Sequence, residues 1–491
     1  MSIHWAIIRR LLTHPSRVAV IDDRRAYRGG ELLVAALHVA SRLRARCESR
    51  AVGILLPTSG AFPIAALGAW FAGKVIVPLN YLLKREELEY VIRDCGTDSI
   101  LAARPMIEFM TYEPRGASLH YLEDIDFRSI PEPVWPAPAA AEDLAVLLYT
   151  SGTSGKPKGV MLSHGNIAAN IQQVLDYIEI TPRDSILGVL PQFHSFGLTV
   201  LTLMPLAAGP RAVYTARFVP HKIIKLLREH RPSIFIAIPS MYNALLSVKD
   251  ASPDDFASLR LIVSGGEPLP RSTFDAFRQR FGVTLNEGYG LTETAPVSNW
   301  CRPDEWRPGS VGRAMPGLVQ RIIDPATGAP LPPHHDGEVQ MRGPNIMQGY
   351  FHLPDETAAV FTPDGFLKTG DMGRLDDDGH LFITGRIKEM LIVGGENVFP
   401  REIEEVLNKH ESIAASGVVG LADPLRGELP VAFVELREGA SFDEAALKRW
   451  CRQHLAGYKV PDQIRVLDQL PRNPTGKIMR RELKKLLPHQ A

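Results

Sequence analysis

The densest cluster of anion-binding residue types is YTSGTSGKPKGV, at 149–160, directly after the predicted strand LAVLLY. Its glycines let backbone N–H groups converge on an anion, its serine and threonine hydroxyls donate hydrogen bonds, and its lysines supply positive charge. It is not a Walker A loop, because Pro157 follows Lys156 and the first glycine of that pattern is absent. We therefore predict a phosphate-binding loop of another type, formed by Thr150, Ser151, Gly152, Thr153, Ser154, Gly155 and Lys156.

A second motif, EGYGLTET at 287–294, combines an aromatic ring with metal-ligand oxygens. Tyr289 offers a flat face on which a purine can stack, and the glycine on either side permits close approach. Thr292 and Glu293 supply a hydroxyl and a hard carboxylate oxygen, which suit Mg²⁺ when phosphates also hold it. Taken alone, Tyr289 also fits a core tyrosine in a turn, and Glu293 would more often be a surface charge.

Two further motifs could complete a nucleotide site. Asp371, in KTGD at 368–371, is placed to accept hydrogen bonds from ribose hydroxyls, although in isolation it would be an ordinary turn aspartate. SGGEPLP, at 264–270, follows a predicted strand, and open α/β sheets bind ligands beyond the carboxyl ends of their strands.

The C-terminal segment 472–485 holds six basic residues and one acid. Basic residues are favoured near the end of a helix by its dipole, so the helix is predicted to present a solvated face. Lys477 differs because it lies in the loop PTGK before that helix, where a side chain can reach away from its own domain. The residues predicted for the solvated face are Arg480, Arg481, Lys484 and Lys485, with Met479, Leu483 and Leu486 on the apolar face.

Residues 185–210 contain no Asp, Glu, Lys or Arg, and this run is longer than the ~20 residues of a membrane span. Prolines and polar residues interrupt it, and the apolar remainder FGLTVLTLM is too short to cross a bilayer. A buried element leading into a pocket is the better interpretation. His194 lies in this stretch, where a lone histidine is more often a packed structural residue than a functional one.

These motifs need a scaffold, and the first half of the chain alternates short apolar runs with helical segments. AVGILLP, VIVPL and DSILAA are predicted strands, separated by the helices AFPIAALGAWFAG and REELEYVIRDC. SIFIAI, SMYNALLSV and LRLIVSGGEP continue the pattern. Strands and helices in this order predict a parallel sheet covered by helices on both faces.

The later sequence changes twice in character. From about residue 310, short strands such as GEVQMRG and GHLFITG indicate a β-rich subdomain, and after 385 a smaller α+β pattern begins. Residues 131–141 are predicted to be a surface loop. We therefore predict an α/β protein with a large N-terminal domain of stacked α/β sheets over 1–385, which includes the β-rich subdomain, and a small α+β C-terminal domain over 386–491.

Composition places the chain among ordinary globular proteins. Its 491 residues are 45% apolar and 22% charged, which excludes disordered and fibrous proteins. Lys plus Arg and Asp plus Glu are both 55, so net charge gives no sign of a nucleic-acid partner. Four scattered cysteines are too few for a disulfide scaffold or a zinc site. Without a signal peptide or transmembrane segment, a cytoplasmic protein is expected, with peripheral membrane association left open and the oligomeric state undetermined.

In order along almost the whole chain, the motifs resemble those of the adenylate-forming superfamily of acyl- and aryl-CoA synthetases, nonribosomal-peptide adenylation domains and firefly-type luciferases. SGGEPLP resembles the family's adenine-side loop, EGYGLTET its nucleotide and metal motif, and KTGD its ribose motif. GRIKEMLIVGGENVFPREIE, at 385–404, resembles the inter-domain hinge and the loop after it. PRNPTGKIMRREL, at 471–483, resembles the motif that carries the catalytic lysine.

The resemblance implies residue roles. Lys477 would bridge the substrate carboxylate and the α-phosphate of ATP, and Glu293 would hold Mg²⁺. The small domain would be mobile, rotating about Lys388 and bringing Gly394 and Gly395 to the tunnel for the thiol of coenzyme A. His194 would lie at the gate to an acyl pocket that includes Phe193, Phe196, Gly197 and Met241. Further nucleotide contacts would come from Gly265, Gly266, Glu267, Pro268, Glu287, Gly288, Tyr289, Gly290, Thr292, Asp371 and Arg386.

The implied reaction is a two-step ligation. A carboxylate attacks the α-phosphate of ATP and expels pyrophosphate, and a thiol then displaces AMP from the acyl adenylate, so that catalysis consists mainly of positioning and charge neutralisation. A fatty acid is the expected substrate. The presumed pocket segments hold no acid to pair the ammonium of an amino acid, while Met204, Met241 and many leucines suit a flexible chain.

Several alternatives stay open at this point. An aryl-CoA ligase or a ligase that charges acyl carrier protein would use the same chemistry. A P-loop NTPase is disfavoured by the missing Walker A loop and the separate adenosine motifs. A non-catalytic acyl- or nucleotide-binding homologue would be expected to lack Lys477 or Glu293, and both are present.

Overall fold

The computed structural model describes residues 2–133, 135–151, 156–472 and 478–487. Within these ranges the α-helices are α1 (Ile3–Thr13), α2 (Gly29–Arg46), α3 (Ala61–Phe71), α4 (Arg85–Asp94), α5 (Arg104–Met110), α6 (His164–Tyr177), α7 (Met204–Ala208), α8 (Pro220–His230), α9 (Pro239–Leu245), α10 (Pro253–Phe256), α11 (Arg271–Phe281), α12 (Pro354–Val360), α13 (Pro400–Leu407), α14 (Glu444–His454) and α15 (Arg480–Lys484).

The strands in the same ranges are β1 (Val18–Ile21), β2 (Ala26–Arg28), β3 (Ala51–Leu55), β4 (Val75–Pro78), β5 (Ser99–Ala102), β6 (Ser118–Tyr121), β7 (Leu144–Ser151), β8 (Pro157–Ser163), β9 (Ser185–Gly188), β10 (Arg211–Tyr214), β11 (Ile234–Ala237), β12 (Leu261–Ser264), β13 (Asn286–Gly290), β14 (Val297–Trp300), β15 (Gly312–Ala314), β16 (Val319–Ile323), β17 (Gly337–Arg342), β18 (Gly349–Tyr350), β19 (Leu367–Leu375), β20 (His380–Arg386), β21 (Leu391–Val393), β22 (Glu396–Val398), β23 (Ile413–Asp423), β24 (Gly427–Leu436) and β25 (Gln463–Val466).

The first apolar runs form a seven-stranded sheet in the order β18-β8-β7-β4-β3-β5-β6. Strands β3, β4, β5 and β6 are parallel, as the alternation of short apolar runs and helices predicts, and α3 and α4 make the crossovers between them. The phosphate-loop segment enters this sheet as β7, which is parallel to β4, and leaves it as β8, which is antiparallel to β7.

A second, thirteen-stranded sheet has the order β16-β17-β19-β20-β15-β14-β13-β12-β11-β9-β10-β1-β2. Strands β1, β10, β9, β11, β12 and β13 are parallel, whereas β14 to β17, β19 and β20 pair antiparallel. The β-rich region predicted after residue 310 is therefore the antiparallel continuation of the parallel sheet.

One hydrophobic core joins the two sheets. It contains buried residues of β3 and β7 from one sheet and of β9 and β11 from the other. Helix α3 lies within this core, with every residue after Ala61 buried, which explains why its sequence has no polar face.

The charge-free stretch 185–210 is largely buried, as predicted, with His194 as its exposed position. It folds as β9, a π-helix at Phe196–Leu203 and α7, and residues 197–203 of the π-helix are all buried. Among the residues that the structure describes, no helix is both long and apolar enough to cross a membrane.

The C-terminal part builds a separate five-stranded sheet from β21 to β25, covered by α13 and α14 around a core of its own. The helix predicted at the C-terminus is short, as α15, and its apolar face differs from the prediction. Leu483 is fully buried, but Leu486 is 49% exposed and Leu487 is buried instead.

Candidate active site

A cleft of about 450 Å³ lies between the thirteen-stranded sheet and the C-terminal part. The wall formed by the thirteen-stranded sheet follows the carboxyl ends of β11 and β12 and includes β13. Open α/β sheets bind their ligands beyond the carboxyl ends of their strands. This wall contains nine of the predicted nucleotide-binding residues: Gly266, Glu267, Pro268, Glu287, Gly288, Tyr289, Gly290, Asp371 and Arg386. The opposite wall includes Arg401, Glu404, Glu405, Arg472, Ile478 and Arg480.

The best-defined polar group in the cleft is the carboxylate of Asp371. Asp371 and Arg386 are partners in the register of the antiparallel pair β19–β20, and Arg386 Nε donates to Asp371 Oδ1 at 2.7 Å. The hydroxyl of Tyr289 donates to Asp371 Oδ2 at 2.5 Å. Burial and then the Asp371 carboxylate raise the pKa of Tyr289, so the phenol stays protonated and remains a donor. The carboxylate is thus held in place at the cleft wall, as a ribose-binding group must be.

Glu287 is a second cleft carboxyl group, with an unusual acidity. Burial raises the pKa of Glu287 to about 7. The positive charge of Arg401 opposes this increase and the negative charge of Glu405 adds to it, and both residues lie on α13. Near neutral pH this side chain therefore exists in both protonation states, and it faces charged groups from the opposite wall.

The ends of the predicted phosphate loop are anchored against α4. The Tyr149 hydroxyl donates to Asp94 Oδ2 at 2.6 Å, and Lys156 Nζ lies 5.6 Å from the ring centroid of Tyr90. Thr150, at the end of β7, is half-buried. Gly152, Thr153, Ser154 and Gly155 lie outside the described residues, as does Lys477 in the C-terminal loop.

Glu293 lies beside the strand that follows the phosphate loop. The Tyr350 hydroxyl donates to Glu293 Oε1 at 2.9 Å, and Lys158 Nζ lies 5.3 Å from the Tyr350 ring centroid while pairing with Glu356. Burial and then the charge of Lys388 lower the pKa of Lys158, and Glu293 opposes this shift. Lys158, Glu293 and the predicted hinge residue Lys388 therefore share one electrostatic neighbourhood.

This donor set fits Mg²⁺. Oε1 of Glu293 accepts from Tyr350, and the Thr292 hydroxyl lies 3.2 Å from that of Ser195. Across the part of the chain that the structure describes, no group of three His, Cys, Asp or Glu side chains could hold a metal. A Mg²⁺ ion at Glu293 would therefore take most of its ligands from phosphates and water.

His194 is suited to a neutral role. Its Nδ1 accepts the N–H of Phe196 at 3.3 Å. Desolvation by the surrounding protein lowers the pKa of His194 to about 4, although the side chain keeps access to solvent. The imidazole is uncharged at physiological pH, which fits a gate better than a proton carrier.

The other predicted acyl-pocket residues do not line the 450 Å³ cleft. Phe193 is buried and packs edge-on against Tyr81. The Phe196 ring lies against Gly265, where an added Cβ would sit 3.0 Å from the ring. Gly197 is sterically required, because a Cβ there would lie 2.0 Å from the Pro191 carbonyl oxygen.

Helix α9, which carries the predicted acyl-pocket residue Met241, contributes to the cleft wall. Met241 is partly buried, and its neighbours Ser240 and Asn243 line the cleft. Met204, which the sequence suggested as an adaptable pocket residue, is 1% exposed and belongs to the main core.

The predicted hinge and thiol-tunnel residues lie on the same segment. Lys388 is exposed in the 3₁₀ turn Ile387–Glu389 between β20 and β21. Gly394 and Gly395, in the turn between β21 and β22, have φ angles of +62° and +88°, which other residues adopt only with strain. The N–H of Gly394 donates to the Arg426 carbonyl at 2.7 Å, which fixes the turn.

The prediction for Arg480 is wrong. It is not part of a solvated face, because its guanidinium pairs with Glu389 and Glu404 and its side chain is only 19% exposed. Arg481 and Lys485 do behave as predicted and remain exposed. Tyr350 and Asn243 lie outside every motif and could not be predicted as site residues. Lys158 is the second lysine of the phosphate-loop motif, and Arg401 lies within the hinge motif at 385–404, but neither was singled out.

The chain belongs to the AMP-binding enzyme family. The family model for AMP-binding enzymes matches residues 8–351, and that for their C-terminal domain matches residues 402–477. The long-chain-fatty-acid–CoA ligase of Bacillus subtilis (strain 168) is 33% identical, over 92% of this chain and 89% of that protein. The feruloyl-CoA synthase of Amycolatopsis sp. is 32% identical, over 97% of each chain. This chain is accordingly an AMP-forming acid–CoA ligase, with ATP and coenzyme A as substrates.

Solved structures agree with this assignment. ATP-bound MatB from Rhodopseudomonas palustris is 32% identical and superposes with a TM-score of 0.90 over 99% of both chains. The apo form of the same protein gives a TM-score of 0.81 with the same coverage. The arrangement described here is therefore closer to the ATP-bound form.

Proposed function

We propose that this ligase activates a fatty acid. The observation that carries the proposal is the absence of charge from the segments that the sequence predicts for the acyl pocket. The π-helix Phe196–Leu203, helix α9 and residues 295–300 contain no Asp, Glu, Lys or Arg. A substrate with a second charged group would need a buried partner, because an unpaired buried charge costs several kcal/mol, on the order of its desolvation free energy. An acid with an apolar acyl chain meets no such cost.

The relatives support a broad substrate class. They include a long-chain-fatty-acid–CoA ligase, a feruloyl-CoA synthase and a sulfoacetate–CoA ligase from Cupriavidus necator. Sulfoacetate carries an additional anionic group, for which the uncharged segments of this chain offer no cation. Aromatic acids remain the chief competitor, and the experiment below separates them from fatty acids.

In the first half-reaction, the carboxylate of the acid attacks the α-phosphate of ATP and pyrophosphate leaves. Asp371 would accept the ribose hydroxyls, and Tyr289 would lie against the adenine. Lys477 would neutralise charge between the carboxylate and the α-phosphate, because two anions must approach each other. Glu293 and Thr292 would hold Mg²⁺, which when bound neutralises phosphate charge.

In the second half-reaction, the thiol of coenzyme A attacks the acyl carbonyl and AMP leaves. We assign the small domain to 386–491 and place its rotation axis at Lys388, the exposed turn residue between β20 and β21. Rotation there would withdraw the Lys477 loop from the cleft and bring the Gly394–Gly395 turn to the thiol path. His194, neutral and beside Phe196, would separate the nucleotide and acyl sites.

The proposal is tested with straight-chain acids from butyrate upward, alongside benzoate, cinnamate and sulfoacetate, by measuring pyrophosphate release with ATP and coenzyme A. Because each buried CH₂ contributes about 0.8 kcal/mol, kcat/KM should rise about threefold to fourfold per methylene until the pocket is filled. A flat series, or a preference for benzoate, cinnamate or sulfoacetate over every fatty acid, would overturn the fatty-acid assignment.

A pair of variants tests whether Met241 on α9 lines the acyl pocket. Met241→Trp adds bulk on the half-buried face of α9 and should shift the preferred acid to a shorter chain while leaving the KM for ATP unchanged. Ser247→Trp adds the same ring at an exposed position just beyond α9 and should leave the chain-length profile unchanged. Identical profiles for both variants would place the acyl pocket elsewhere.

A further inference from the structure

The guanidinium of Arg480 contacts two carboxylates from different segments. It forms a two-nitrogen fork to Glu404 on α13, in which Nη2 donates to Oε2 at 2.7 Å and Nε donates to Oε1 at 3.3 Å, and Nη1 donates to Glu389 Oε2 at 2.7 Å. A planar guanidinium makes such a fork, whereas a lysine ammonium cannot reproduce it. Arg480 therefore fixes the relative positions of three segments: α15, α13 and the turn Ile387–Glu389.

Glu404 is a firm anchor for this contact. It is buried, and its Oε1 also accepts the N–H of Val418 in β23 at 2.8 Å. Burial raises the pKa of Glu404, and Arg480 opposes that shift. A buried carboxylate with a backbone donor and a bidentate guanidinium has well-satisfied oxygens, so the α13 end of the contact has little freedom to move.

The position of Arg480 in the chain connects this anchor to catalysis. Arg480 comes two residues after Ile478, and it lines the cleft together with Arg472 and Ile478, which flank the Lys477 loop. The N–H of Met479 donates to the Pro471 carbonyl at 2.8 Å, and Arg472 and Ile478 form an antiparallel bridge. Glu389, the other partner, is adjacent to Lys388.

We propose that Arg480 is a positioning residue for adenylation, which clamps the base of the Lys477 loop to α13 through Glu404 and to the hinge turn through Glu389. The inference rests on the proposed roles of Lys477 and Lys388. When Arg480 pairs with both Glu404 and Glu389, rotation at the hinge moves the Lys477 loop together with the rest of the small domain. Without this pairing, the loop base moves independently, and the ammonium of Lys477 reaches the reacting oxygens less often.

The neighbouring arginine provides a matched control. The Arg481 side chain is 66% exposed, and its ion pair is with Glu482 of the same helix at 3.6 Å. Arg481→Met removes a positive charge one residue away without touching the clamp. Glu389→Ala removes only the contact between Arg480 and the turn Ile387–Glu389, and it leaves the Arg480–Glu404 pair that holds α15 to α13.

The test measures the two half-reactions separately in single turnover, in the full-length protein with the fatty acid that the wild type activates best. A displacement of about 1 Å can cost about 100-fold in rate, so adenylation should fall about 10- to 100-fold in Arg480→Met and about 10-fold in Glu389→Ala. Arg480→Lys should recover part of the rate, because an ammonium can pair with one carboxylate. Thioester formation from supplied acyl-AMP should stay within about twofold in every variant, because Lys477 is not used in that step.

A second readout does not depend on turnover. Hydrogen exchange at the amides of Arg472, Ile478 and Met479 should become faster in Arg480→Met and Glu389→Ala, and should match the wild type in Arg481→Met. Adenylation within about twofold of wild type in both clamp variants, or an equal loss in both half-reactions, would overturn the proposal. If Lys477→Ala itself adenylates normally, the assigned role of Lys477 fails, while the exchange rates still decide whether Arg480 holds the loop base.

Discussion

Replacing Asp371 by Asn tests the nucleotide site at the residue whose geometry is best defined. The carboxylate is 2% exposed and accepts from Tyr289 at 2.5 Å and from Arg386 at 2.7 Å. An amide keeps the shape but loses the charge, and its NH₂ group must face one of these two donors. Any ribose hydroxyl that donates to the same group then loses a charge-assisted hydrogen bond.

The size of the effect follows from the number of bonds affected. A hydrogen bond to a charged group contributes about 1.5–3 kcal/mol, which corresponds to a loss of affinity of roughly 10- to 150-fold for one bond. The ribose does not react, so its contacts are equally strong in the ground state and the transition state. We therefore expect the KM for ATP to rise by that factor and kcat to change little.

The assay measures pyrophosphate release at varied ATP with saturating acid and coenzyme A, using ATP and 2′,3′-dideoxy-ATP. Wild type should discriminate strongly against the dideoxy analogue. Asp371→Asn should lose most of this discrimination, because the variant lacks the carboxylate with which the ribose hydroxyls would interact. Asp184→Asn is the matched control, since Asp184 is also a buried aspartate paired with an arginine, Arg260, but does not line the cleft. An unchanged KM for ATP, or full discrimination against the analogue in Asp371→Asn, would refute the ribose assignment.

Two further predictions concern the hinge and a buried histidine. Lys388→Pro fixes φ near −65° and removes a backbone donor, so pyrophosphate exchange should stay near normal while thioester formation is lost; normal overall turnover would show that the hinge is elsewhere. His164 is buried between His4 and Trp70, and burial and then His4 lower the pKa of His164 from 6.5 to about 4. Because the unfolded chain then binds this proton more tightly, His164 leaves stability intact above about pH 6.5 and lowers it by up to about 3 kcal/mol as the pH falls towards 4. Urea unfolding at pH 7 and pH 4.5 should show a smaller pH effect in His164→Gln than in wild type or in the exposed-site control His221→Gln, and equal effects in all three would contradict this account.

Much of the fold could be predicted from local pattern. Apolar runs such as 51–57 and 75–79 have only one stable environment, a sheet covered on both sides, and they form β3 and β4. Asp371 lies at the cleft wall because the strand register and the positive φ of Gly370, inside β19, fix it locally. In a motif of this kind, the functional residue and the neighbouring residues that position it are only a few positions apart in the sequence.

Contacts between distant segments could not be predicted in the same way. Arg480 has the sequence context of a surface helix, and only the fold brings it to Glu389 and Glu404, at sequence separations of 91 and 76 residues. The prediction placed Leu486 on the apolar face, but Leu487 is the buried residue. Helix α15 ends at Lys484, so the helical spacing assumed for Leu486 does not extend to that position. The acyl pocket is the least predictable part, because its volume depends on how several elements pack together.

The central claim is that two half-reactions share one site and that only the first uses Lys477. The most direct measurement is single-turnover kinetics of Lys477→Ala, with adenylation followed from ATP and acid, and thioester formation followed from supplied acyl-AMP and coenzyme A. Loss of a transition-state charge partner should slow adenylation about 100- to 1,000-fold or more, while thioester formation proceeds at close to the wild-type rate. An equal fall in both half-reactions, or normal adenylation, would contradict the account.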